Sequence, residues 1–160
     1  MDDGTSFPVC PGFIHGGRVP MSYLGSFDHA VDPKGRVVVP SAFRADFRNG
    51  GHLSLRRDHI ALYDPAGWAV WMEKLRALLA AGEITRPAFN QLMAVSAFVT
   101  PDAQGRFGLP PKLREMAKIE DKVVFVGADD YLAIYALARR PVPEAETFDQ
   151  LMDVYDGLPL

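Results

Sequence analysis

The chain has 160 residues, 48% of them hydrophobic, and a formal net charge of −3. That is enough apolar material for one buried core or two small interlocked halves, and no apolar run approaches the roughly 20 residues a membrane-spanning helix needs, so a membrane protein is not expected. His15, His29, His52 and His59 are scattered, without metal-ligand spacing or a nucleophilic partner, so neither catalytic residues nor a metal or cofactor are expected.

Residues 1–20, "MDDGTSFPVCPGFIHGGRVP", read as a flexible N-terminal extension broken by Gly and Pro. The stretch has neither the basic n-region nor the apolar h-region of a secretory signal. Cys10 is the single cysteine, so no internal disulfide can form and a reducing cytoplasm is expected. The first patterned unit spans 21–66. It contains a strand "SFDHAV" at 26–31, a turn "DPKG", an apolar strand "RVVVP" at 36–40, and a short helix capped by Ser41 with Phe43 and Phe47 on one face. Two short strands, "HLSLRRD" and "IALYD", complete it.

A helical insertion follows over 67–97. Asp64-Pro65 gives an N-cap acceptor and a proline at the first helical position. Trp68, Trp71, Met72, Leu75, Leu78 and Leu79 form one apolar stripe that stops at Gly82. Thr85 and Pro87 restart a helix carrying Phe89, Leu92 and Met93. The stripe reads as packing surface.

The second unit, 98–140, repeats the first at a shift of 70 positions: Asp32/Asp102, Gly35/Gly105, Arg36/Arg106, Pro40/Pro110 and Arg44/Arg114. Farther on, "ALYD" at 61–64 answers "AIYA" at 133–136, a shift of 72. Gly108 inside a strand either weakens that strand or marks a bulge. Residues 141–160 read as an acidic C-terminal helix or tail, opened by Thr147 with Phe148, Leu151, Met152 and Tyr155 on one side. Each copy alone is too small to bury its apolar surface. The expected fold is therefore α+β: two β-β-α-β-β repeats completing one another's sheet as a pseudo-twofold β-barrel, with the helical insertion between them and a helix at the end.

Charge is unevenly spread. Residues 32–57 hold six basic side chains against two acidic ones, whereas 141–160 hold five acidic and none basic. A solvated face with an acidic tail accounts for this, and so does a local basic surface that meets phosphate.

The repeated turns carry the chemistry. Pro33 presets one φ in "DPKG", Gly35 supplies a left-handed residue, and the Asp32 carboxylate can accept from its own turn amides. Arg36 and Arg106 lie within reach of Asp32 and Asp102. Such a pair is either a charged staple, worth about 0–1 kcal/mol at an exposed site, or a device that aims a guanidinium at a phosphate or a guanine edge. In the second reading Lys34 adds a phosphate contact and Gln104 a polar one. Two like turns at a fixed separation suit a repeating polyanion.

"MSYLGSFDHAVDPKGRVVVPSAFR" and "DAQGRFGLPPKLREMAKIEDKVVFVGADDYLAIYA" resemble the two halves of the MraZ family, bacterial transcriptional regulators with paired SpoVT/AbrB-type domains. The likeness covers residues 21 to about 140. It implies AbrB-like halves and ring homo-oligomers, an octamer or larger. It also implies sequence-specific binding to direct repeats in double-stranded promoter DNA of the division and cell-wall gene cluster, as a repressor in a cytoplasmic, nucleoid-associated setting. The family's Asp-x-x-x-Arg DNA-contact motif falls on Asp32 and Arg36 and on Asp102 and Arg106. An antitoxin-like or scaffolding oligomer built from the same halves is the alternative. A more distant one is an enzyme, because "YLGS" at 23–26 resembles the Gly-Ser cleavage site of pyruvoyl-dependent decarboxylases.

Overall fold

A computed structural model describes residues 22–141 and 147–159; the extension expected over 1–20, with Cys10, lies outside them. Strands β1 (Ser26–Ala30) and β2 (Arg36–Val38) flank the first turn, and β3 (Gly51–Leu55) and β4 (Ile60–Tyr63) end the first copy. Helix α1 (Pro65–Ala80) starts where Asp64 accepts from the Gly67 amide at 2.7 Å, with proline behind it. Helix α2 (Arg86–Val95) starts where Thr85 accepts from the Ala88 amide. The second copy supplies β5 (Ala97–Val99), β6 (Arg106–Gly108), α3 (Pro111–Met116), β7 (Lys122–Gly127) and β8 (Leu132–Ala136). Helix α4 (Phe148–Asp156) opens with a Thr147–Gln150 capping box.

Among the described residues the strands form an antiparallel six-stranded sheet, in the order β1-β7-β8-β4-β3-β5, and a separate ribbon of β2 and β6. The copies exchange strands. β1 pairs with β7 of the second copy, and β5 of the second pairs with β3 of the first. β4 meets β8 at the centre of the large sheet. The register preserves the duplication: Val37 faces Phe107 and Ala61 faces Ala133, each residue opposite its own counterpart. A local twofold axis therefore passes through both pairs.

The ribbon lies on one face of the large sheet. Val37, Val39, Phe107 and Leu109 enter one core with Leu53, Ile60, Leu62, Phe125 and Ile134. On the other face α1 packs on β3 and β4, and Tyr63 meets Trp68 and Trp71 at ring separations of 5.9 and 6.0 Å. Burial of both faces explains why β4 is apolar at every position. Met72 and Leu75 of the helical stripe are buried as well.

Three expectations change. The sheet does not close into a barrel, since β1 and β5 remain edges of the six-stranded sheet. Ser41 begins a single 3-10 turn, Ser41–Phe43, whose cap position is Pro40 with no side-chain bond, because the proline ring already sets the entry dihedral. Gly108 stays in the ladder opposite Arg36 without a bulge. None of the described helices is long and apolar enough to cross a membrane.

Candidate nucleic-acid interface

Each turn is built around its aspartate. Asp32 Oδ1 accepts from the Lys34 and Arg36 amides at 2.9 and 2.8 Å, while Oδ2 accepts from Arg36 Nε at 2.7 Å. In the second copy Asp102 accepts from the Gln104 and Arg106 amides, both at 2.9 Å, and from Arg106 Nε at 2.8 Å. Gly35 and Gly105 take φ of +77° and +78°, which the turn requires. The Arg36 amide is the main reason the Asp32 carboxyl lies below its ordinary value, and the Arg106 amide does the same for Asp102.

Only Nε of each guanidinium is used in this way. Among the described residues no protein acceptor takes the Nη groups of Arg36 or Arg106, and the two side chains remain 31% and 35% exposed. At such exposure the ion pairs add little stability. What they fix is position: each guanidinium is held at Nε by the carboxylate of its own turn.

The ribbon places the two arginines together. Arg36 stands opposite Gly108, and Val38 stands opposite Arg106. Side chains alternate along a strand, so Arg36, Val38, Arg106 and Gly108 share one face, and the buried Val37 and Phe107 take the other. The arginines are diagonal neighbours, about 7–8 Å apart by strand geometry. Lys34 and Gln104 are exposed at the two turns.

Sequence reasoning missed the way each copy holds the other's turn. The Val39 amide donates to Gly105 O at 2.9 Å, and the Leu109 amide donates to Gly35 O at 3.0 Å. Arg44 lies over the second turn, where a β-carbon on Gly105 would come within 2.8 Å of its Nε. Arg114 lies over the first, 3.3 Å from the corresponding point on Gly35. Each arginine is fixed by carbonyls of its own copy, Arg44 Nε by Val39 O at 3.2 Å and Arg114 by Ile119 O and Glu120 O. The repeat at positions 44 and 114 was a usable signal, but it did not say which turn each residue meets. Shallow clefts of about 310 and 470 Å³ result, the first beside Asp102 with Arg44 and Arg48 in its wall, the second beside Lys34 with Arg114.

A family model described as "MraZ protein, putative antitoxin-like" matches residues 92–139, which include the second turn. A protein of Thermomicrobium roseum named "Transcriptional regulator MraZ" is 36% identical over 115 residues, 71% of this chain and 81% of the relative. The chain belongs to the MraZ family. Another MraZ relative, from Herpetosiphon aurantiacus and of the same name, is 36% identical over 121 residues, covering 73% of this chain and 82% of its own. The Limosilactobacillus reuteri MraZ is 31% identical over 138 residues, covering 84% and 96%.

Proposed function

We propose that this MraZ chain is a sequence-specific DNA-binding transcriptional regulator without enzymatic activity. Asp32, Lys34, Arg36, Asp102, Gln104 and Arg106 form its contact surface. One observation carries the reading: two guanidinium groups share one face of a ribbon, each held at Nε by a turn carboxylate, with its Nη donors free among the described residues. A bidentate Arg contact suits the O6/N7 edge of guanine or a phosphate, and a two-stranded ribbon fits the major groove. The names of the MraZ relatives agree with this. Following the family, the target is direct repeats upstream of the division and cell-wall genes, bound by a ring of copies acting as a repressor. In such a ring avidity supplies part of the affinity.

The test is a binding titration on the DNA upstream of the protein's own gene, with Arg36→Ala and Arg106→Ala separately and together. Each bidentate contact is worth about 1–3 kcal/mol of base discrimination, so each single variant should lose roughly 5- to 150-fold, and the double variant more. Far-ultraviolet circular dichroism should stay unchanged. Parental binding should fall steeply with added salt as counterions are released. A folded double variant that binds as tightly as the parent rules this surface out.

A further inference from the structure

We propose that α4 of one chain seats in the groove between α1 and α2 of a second copy, and that this head-to-tail contact is the assembly joint. Thr147 caps α4, yet its apolar side lies in solvent: Phe148 is 72% exposed, Leu151 51% and Tyr155 59%. A lone nine-residue helix with such a face is marginal in water unless something covers it. The groove is the matching vacancy. It has a volume of about 690 Å³; Met72, Leu79, Phe89 and Met93 line it, and Arg76 and Arg86 stand on its two walls. Among the described residues Arg76 has no ion-pair partner, and Arg86 lies only over the Phe89 ring at 5.6 Å.

Charge selects the occupant. Beside its apolar stripe α4 carries Asp149, Asp153 and Asp156 and no basic residue. The helix brings apolar anchors and carboxylates to a groove that offers an apolar floor and two guanidinium groups. Lengths agree too, since α4 and the lining from Met72 to Ala80 are each nine residues of helix, about 13 Å. The mode is an amphipathic helix laid in a groove, read through anchors at i, i+3, i+4 and i+7. Every copy then presents one helix and one groove. Such a heterologous contact builds a ring when its rotation closes. The joint rests on the ring reading given above and supplies its contact.

Light scattering after gel filtration tests it on the full chain. Leu151→Asp disables the helix and Met93→Asp the groove. Each variant alone should lose the parental assembly, and an equimolar mixture should form a one-to-one pair, because one intact helix still meets one intact groove. Arg76→Glu, an exposed change that cannot unfold the helices, should raise the concentration of half-assembly roughly fivefold, the equivalent of about 1 kcal/mol. A parental chain that assembles while Leu151→Asp assembles equally well overturns the joint and leaves the ring standing. A parental chain that is monomeric at micromolar concentration overturns both.

Discussion

Asp32 and Asp102 act through orientation. Each accepts two amides on one oxygen and a guanidinium on the other, so the turn and the aim of the arginine are separable. Asp32→Asn keeps an acceptor for the amides, and asparagine suits the turn. It removes the charge that holds Nε. Arg36 must then be ordered on binding, a cost of about 0.5–1.5 kcal/mol. DNA affinity should fall roughly 2- to 12-fold with little change in melting temperature; a fall as large as that of Arg36→Ala would show that the carboxylate does more than aim. The pH dependence follows from the lowered carboxyl values. Folded values below the unfolded one make the contribution of these aspartates fully present above the ordinary 3.8, and it is lost as pH falls through the lowered values. His52 works at higher pH. It stacks on Trp68 at 4.6 Å and burial lowers its value. The unfolded chain therefore protonates first, and stability from the neutral ring is complete above about 6.5 and eroded as pH falls below it. Urea titrations at pH 7.5 and 5.5 should show a smaller difference for His52→Phe than for the parent, the remainder including His29, whose value burial and then Arg44 lower.

At the scale of elements, two glycines three residues apart separate cleanly. Gly105 needs a positive φ and lies under Arg44, so Gly105→Ala should cost about 1–2 kcal/mol from backbone strain, before Arg44 shifts. Gly108 has ordinary strand dihedrals and open space around it, so Gly108→Val should stabilise by about 0.5–1 kcal/mol, read as a higher denaturation midpoint. Equal effects at the two positions would contradict the turn geometry. The same elements mark what was legible in the chain. Asp64-Pro65, Thr85 and Thr147 each fixed a helix start, because capping is local chemistry. The turn bonds of Asp32 and Arg36 were legible for the same reason, four residues apart. Strand partners were not. Alternating apolar residues state that a strand is half-buried and leave its neighbour open, so nothing in "SFDHAV" pointed to β7. Barrel closure failed as an expectation on the same ground, and the 3-10 turn at Ser41 because Pro40 took the cap position.

For the whole molecule the exchange of strands makes the copies inseparable. Among the described residues β2 pairs only with β6, and β1 only with β7, so the first copy alone contains neither partner. A fragment of residues 22–66 retains the β3–β4 hairpin and little else, which is marginal in water. It should give a coil-like circular dichroism spectrum and no cooperative melt; a cooperative transition would mean that each copy is a domain in its own right. The duplication, visible in sequence as a shift of 70 positions, is thus a single folding unit.

Gly108 leaves one mark on that unit. Its counterpart is Val38, and across the ribbon a methyl-bearing side chain stands beside Arg106 while Arg36 has bare backbone next to it. Lysine tips one corner and an uncharged amide the other. Two nearly equal halves thereby yield a face whose two ends differ, and a ligand bridging the proposed contact residues would meet unlike groups at each.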